Sequence, residues 1–207
     1  EPWKNADIAS FGYMLALRDA AHWRQWLSPA LMGMVPESSA LLPYWLGAWA
    51  MQALTPLGWA PDFAARLPFA LMLAGTLAAT WYAVYHLARH PGAQPVAFAF
   101  GGEAEPLDYA RALADGSLLA LIATLGLAQF SHETTPALAQ LFFGTLVFYG
   151  LAALPTRAVP SSLALLAGLT GLTMSGVLAA VRRAGHGTDL CHAEPAGAGT
   201  PGTRAPE

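Results

Sequence analysis

The amino-acid sequence predicts an all-α fold, a polytopic transmembrane helical bundle with amphipathic juxtamembrane helices. Three observations lead there. Only 11% of the 207 residues are charged while 55% are hydrophobic. Soluble domains carry roughly 25% charged residues, so this chain has too few to cover a water-facing surface. Mean hydropathy is +0.42. Finally, four runs without Asp, Glu, Lys or Arg are long enough to cross about 30 Å of hydrocarbon.

The first run, residues 67–88, is bracketed by Arg66 and Arg89. The second begins after Asp115, is uncharged from Gly116 to His132, and closes through the connection SHETTP, so the span is placed at 116–136. The third, 137–154, follows Pro136 and stops before Pro155 and Arg157. The fourth, 159–181, stops at Arg182. One such run is compatible with a buried soluble helix; four in a short chain point to lipid. Segment 41–58 (LLPYWLGAWAMQALTPLG) has Tyr44, Trp45 and Trp49 near its start. Trp and Tyr favour the headgroup level, so it either spans or lies in the interface, with the interfacial reading ahead.

Three polar regions complete the plan. Residues 1–40 form a loop with an imperfect amphipathic helix over 8–26, its apolar positions Phe11, Leu15, Leu17 and Trp23 interleaved with Arg18, Asp19 and Arg24. Residues 89–115 contain Pro91, Gly92 and Pro95, the alternating run 96–100, the Gly101-Gly102 turn, and a short helix starting at Pro106. Residues 182–207 are rich in Gly, Ala, Pro and Thr, a composition expected to stay disordered. Glu1 stands where a Met would open a chain, so the natural start is expected upstream and the chain is read as an incomplete fragment. The 41–181 region is the transmembrane part.

Positive charge is expected inside. With 41–58 off the membrane normal, Arg89, His90, Arg111 and Arg157 share one, cytoplasmic, side. Residues 1–40 and the connection at Glu133 then share the outer side. Arg66 and Arg182 fall on the wrong side of this scheme.

Several functions are excluded. A net charge of −3, with one lysine and nine scattered arginines, makes no basic face for nucleic acid. Cys191 is alone and forms no internal disulfide. No HExxH or CxxC spacing, phosphate-cradling glycine loop or GxSxG elbow occurs. Acidic residues beside membrane helices remain, and these are functional candidates because burying them is costly. They are Asp7, Glu1, Glu37 and Glu133. For Asp7 the plainer reading is a solvated loop carboxylate. For Glu133 it is an N-terminal cap signature with Thr134, Thr135 and Pro136. The His132–Glu133 pair is a candidate metal pair, and any metal requirement stays open. Trp81, Tyr82, Tyr85 and His86 read as an interfacial belt.

The order of features resembles a known family. An acidic residue opens a helix (Asp7 to Leu17), and a Trp-containing turn follows (Asp19-Ala20-Ala21-His22-Trp23). Glu37 leads to Leu42-Pro43-Tyr44-Trp45-Leu46-Gly47-Ala48. Phe63-Ala64-Ala65-Arg66-Leu67-Pro68 opens a span, and His132-Glu133 precedes a Gly-rich span from Gly168 to Gly176. From Asp7 to Gly176 this looks like the N-terminal part of the bacterial membrane glycosyltransferases of the GT-C superfamily, related to protein O-mannosyltransferases and the aminoarabinose transferases of lipid A. The resemblance implies sugar transfer from a polyprenyl-phosphate donor to a lipid, glycan or protein acceptor at the periplasmic face of the bacterial inner membrane. It implies Asp7 as catalytic base or acceptor-side carboxylate. It makes Glu1, Glu37, Glu133, His132, Lys4 and Arg66 acceptor- or donor-site candidates, with a divalent metal as one way to stabilise the leaving phosphate. The chain departs from the family where a Lys-Pro-Pro would stand, having Ser38-Ser39-Ala40, and has Met174-Ser175-Gly176 where Lys-Gly or Arg-Gly is usual. Those departures favour a non-catalytic membrane remnant as one alternative; a transporter or permease fragment, which would show repeated or broken spans, is another.

Overall fold

Proline sets where the long helices begin. Pro61, Pro106 and Pro136 each occupy a first helical position behind a residue in extended backbone (Ala60, Glu105 and Thr135). Proline's locked φ suits the first turn, and its ring steers the preceding residue out of the helical region. The computed structural model describes residues 5–36, 40–95, 100–101, 104–124 and 133–176. Among these the fold is all-helical. The helices are α1 (Asn5–Arg18), α2 (Trp23–Leu27), α3 (Leu42–Leu54), α4 (Pro61–Ala88), α5 (Pro106–Ala123), α6 (Pro136–Ala153) and α7 (Ala158–Met174). Short 3-10 turns follow α3 (Thr55–Leu57) and α4 (Pro91–Ala93).

Two helices, α4 and α6, are long and apolar enough to cross a membrane. At 1.5 Å per residue their 28 and 18 residues reach about 42 Å and about 27 Å. Only 28% and 22% of their apolar windows are buried inside the protein. The core helix of a water-soluble domain would turn most of that surface inward. The 17 residues of α7 are apolar too, at about 25 Å.

The remaining expectations shift. The helix containing run 67–88 starts at Pro61, because Asp62 and Arg66 end the hydrocarbon-compatible stretch without ending the helix. The expected span at 116–136 is not one helix: α5 starts at Pro106, carries Asp108, Arg111 and Asp115, and ends at Ala123. Residues 125–132 lie outside the described residues. Segment 41–58 becomes the 13-residue α3, about 20 Å long, then a 3-10 turn closed by Gly58 at φ 89°. That length is short of the hydrocarbon thickness of a bilayer. The amphipathic helix over 8–26 is broken at Asp19, giving α1 and α2. Its buried stripe is Asp7, Ser10, Tyr13, Met14 and Leu17, whereas Trp23 is exposed. The stripe begins on a carboxylate, so an apolar-only count misplaced the face by part of a turn.

Contacts along the helices fix their directions. Asp7 lies against both Arg66, near the start of α4, and Thr134, just before α6. His86, near the end of α4, meets Tyr149 and Thr156 at the end of α6, with ring centroids 6.1 Å apart and Nδ1 3.0 Å from the Thr156 hydroxyl oxygen. These two helices are therefore parallel. In the opposite direction α5 returns along α4, with Trp81 Nε1 donating to Asp115 at 2.8 Å. Likewise α7 returns along α6, where Gln140 donates to the Ser175 carbonyl at 2.8 Å. The result is an up-down-up-down arrangement of α4 to α7, with α1 and α3 packed on the starting end of α4.

The α6–α7 seam is made of small residues. Gly150 faces Leu165 and Ser161, Gly168 faces Phe143 and Val147, and Gly171 faces the Phe143 ring. Close backbone approach through such residues is how helices associate in lipid, where hydrophobic burial offers little. A buried apolar core sits under α1 and α3, where Met14, Leu17, Tyr44, Met51, Phe69 and Leu138 cluster. Above it Trp45 donates from Nε1 to the Trp26 carbonyl at 2.7 Å, and Trp26 stacks on Trp49.

Candidate functional site

The start of α1 presents a carboxylate to the interior rather than to solvent. Asp7 is on the first helical turn, where the macrodipole favours negative charge. Its face of α1 is the one packed on the bundle, so the side chain is 1% exposed. The solvated-carboxylate reading is corrected here: burial on the packed stripe removes Asp7 from water. An isolated charge there would be prohibitive, and the chain supplies three compensations.

Two come from one residue. Asp7 Oδ1 accepts the Thr134 backbone N–H at 2.8 Å and the Thr134 hydroxyl at 2.7 Å. The third is Arg66, one helical turn beyond Asp62 on α4, whose guanidinium lies 3.7 Å from Oδ2. Oδ2 itself receives no hydrogen bond. The Asp7 carboxylate thus has one saturated oxygen and one oxygen with unused lone pairs facing a cation. Arg66 is 27% exposed along its side chain, so it connects this buried charge to the surface.

The connection before α6 is built to reach Asp7. Thr135 is the N-cap of α6 yet makes no side-chain capping bond; its hydroxyl lies 3.5 Å from Glu133 Oε2. Thr134, 2% exposed, is turned to Asp7. The N-cap is therefore Thr135, with Pro136 opening the helix as the signature anticipates; Glu133 stands two residues ahead of that cap, half-buried beside the site. At the same end the α7 terminus is tied to the entry of α3, since Leu41 N–H donates to the Met174 carbonyl at 3.0 Å.

Of the sequence-derived candidates, Asp7, Arg66 and Glu133 meet at one end of the bundle. Glu1, Lys4, Glu37 and His132 lie outside the described residues. Thr134 was missed as a site residue. Its signal was present: two threonines precede Pro136 and one suffices for a cap, so the other hydroxyl is surplus. Arg66, on the wrong side of the positive-inside count, is answered by the buried Asp7.

The donor set does not suit a metal at Asp7. Oδ1 is filled by two hydrogen-bond donors and Oδ2 faces a guanidinium, so a cation already occupies that direction. Among the described residues no group of three His, Cys, Asp or Glu side chains converges. What the arrangement offers is a buried carboxyl group facing a guanidinium, bordered by a further acid.

No family model matches the chain, and neither a curated protein nor a solved structure matches it.

Proposed function

We propose that the chain is the membrane-embedded part of a multi-pass inner-membrane glycosyltransferase that uses a polyprenyl-phosphate-linked sugar, with its reacting groups at the Asp7 end. The observation that carries the reading is the meeting of Asp7 with Arg66 and the Glu133–Thr134 connection, across 127 residues of sequence. The outward-facing apolar surface of α4 and α6 supports lipid as the solvent.

Transfer to an acceptor hydroxyl needs a base and a cation. The acceptor O–H bond breaks as its oxygen bonds to the anomeric carbon, and the proton goes to Asp7 Oδ2, the oxygen with free lone pairs. The bond from anomeric carbon to phosphate oxygen breaks, and the polyprenyl phosphate leaves with the electron pair. Arg66 supplies positive charge there, in the role for which the resembled family has a lysine and this chain has Ser38-Ser39-Ala40. Reaching Oδ2 requires the guanidinium to swing aside, which its partial exposure allows.

The test is transfer of label from a polyprenyl-phosphate-linked sugar in membranes holding the chain. Asp7→Asn keeps the Oδ1 acceptor and removes the base, so transfer is lost while insertion is retained. Transfer unchanged in that variant, or absent from the wild-type chain, overturns catalysis by this site. A second reading is favoured by the near-complete burial of Asp7: a non-catalytic membrane module in which the carboxylate ties α1 to the bundle. It requires only that stability, and no transfer, respond to Asp7.

A further inference from the structure

The end of the bundle opposite Asp7 carries a second constellation, which sugar transfer does not use. Tyr82, Tyr85, His86 and Arg89 near the end of α4 meet Tyr149 of α6 and Arg157 of the α6–α7 connection around a cavity of about 290 Å³. Both arginines are exposed, and among the described residues neither is ion-paired with a carboxylate. The Arg89 guanidinium stands 5.5 Å from the centre of the Tyr85 ring. His86 Nδ1 lies 3.0 Å from the Thr156 hydroxyl oxygen, which also stands 3.1 Å from the Ala153 carbonyl oxygen. Guanidinium, imidazole and phenol groups line the cavity and no carboxylate does. That lining matches a phosphate oxyanion.

A second cavity, about 350 Å³, adjoins the first. Leu77, Ala78, Trp81 and Tyr82 of α4 form one wall, and Leu118 and Ile122 of α5 the other. Its surface is hydrocarbon and aromatic, and the neighbouring Asp115 is engaged by Trp81. Tyr82 lines both cavities. A cationic chamber at the helix ends thus opens beside an apolar groove running along them, and an amphiphile with a phosphate head has that shape.

We propose that this end of the bundle binds an anionic phospholipid, its phosphate held by Arg89 and Arg157 and one acyl chain laid in the groove between α4 and α5. The inference rests on α4 and α5 lying in lipid, and not on glycosyl transfer.

The experiment uses the full chain in detergent micelles, with bound lipid counted by native mass spectrometry during titration with phosphatidylglycerol, phosphatidylcholine or inorganic phosphate. Phosphatidylglycerol binds about tenfold more tightly than phosphatidylcholine, and Arg89→Gln with Arg157→Gln removes that preference. Leu118→Trp, which fills the groove, weakens lipid binding about threefold or more. Arg157→Gln alone, at an exposed position outside any helix, guards against a folding defect and halves the preference or better. Equal binding of the two lipids, or an unchanged preference in the double variant, overturns the proposal. Inorganic phosphate competing as well as lipid, with Leu118→Trp silent, overturns it in favour of a free-phosphate site. A separate carbonate wash of membranes tests the ground beneath: a chain released by the wash removes the membrane reading itself, whereas a retained chain without lipid preference removes only this inference.

Discussion

Removing the Asp7 carboxylate is the sharpest perturbation of this structure. Asp7→Ala deletes an acceptor that takes two hydrogen bonds, at 2.8 and 2.7 Å, inside a site only 1% exposed. Hydrogen bonds to an ionised group contribute about 1.5–3 kcal/mol each, and the Thr134 N–H would be left buried without an acceptor. Breaking a buried pair by removing one member costs about 3–5 kcal/mol, and that range is the expectation for Asp7→Ala. Asp7→Asn keeps an oxygen for Thr134 but loses the charge and turns an N–H toward Arg66, for about 1–2 kcal/mol. Thr134→Val keeps the backbone bond and loses the hydroxyl, for about 1.5–3 kcal/mol, while Thr134→Ser restores it. The Arg66 contribution is smaller than its 3.7 Å separation suggests. Two charges at that distance attract by about 4 kcal/mol at an effective dielectric of 20, but desolvation of the carboxylate offsets much of this. A double-mutant cycle of Asp7→Asn with Arg66→Gln should return about 1 kcal/mol of coupling. Unfolding by increasing SDS in mixed micelles, followed by fluorescence of the Trp26–Trp45–Trp49 cluster, measures all of these. Asp7→Ala within about 0.5 kcal/mol of wild type, or Thr134→Val without effect, would refute the proposed tie between α1 and the α4–α6 end.

Four further predictions concern other positions. Gly168→Val should destabilise by about 1–3 kcal/mol in the same assay, because a Cβ there meets the Phe143 carbonyl oxygen and the Val147 nitrogen at 3.0 Å, backbone atoms that cannot step aside. Gly144→Ala, in open space on α6, should gain about 0.5–1 kcal/mol from reduced backbone freedom in the unfolded chain. Met32 sits at φ 52° and is 94% exposed, so Met32→Asn should raise stability by about 0.5–1 kcal/mol; a loss instead would show the side chain to be anchored in something outside the protein. The Arg18 guanidinium hydrogen-bonds Asp19 and holds its carboxyl below the ordinary aspartate value. A depressed folded value adds stability above the unfolded value of about 3.9 and loses it as pH falls through the folded one. Asp19 is 63% exposed, so the pair should contribute less than about 1 kcal/mol and vanish in high salt, as unfolding of wild type and Asp19→Asn between pH 2 and 7 will show.

Hydrocarbon length was legible in the sequence and helix length was not. Run 67–88 falls within α4, and run 137–154 matches α6 but for Leu154, the residue just past its end. The first turn of α4 was missed because Asp62 and Arg66 are polar, although polarity does not end a helix. Run 116–136 failed for the converse reason: α5 follows helix propensity back through Asp108 and Arg111 to Pro106, where proline starts it. The proline starts at 106 and 136 were readable because their physics is local. The Asp7–Thr134 bond was not, since nothing in either neighbourhood names a partner 127 residues away. Alone, Arg66 looked anomalous, on the wrong side of the charge count, while Asp7 looked like an ordinary solvated carboxylate. Together they account for each other.

The central claim is that Arg66 and the Glu133 connection stand at one water boundary of a lipid-solvated bundle, with Asp7 buried beside them, and that Arg89 and Arg157 stand at the other. Single cysteines in a Cys191→Ser background, labelled in intact cells by a membrane-impermeant thiol reagent, test it directly. Cysteines at Asn5 and Glu133 should label from outside, and those at Glu105 and Pro155 only after permeabilisation. Labelling of Asn5 and Glu133 from opposite sides, or a chain that stays monomeric in buffer without detergent, would contradict it.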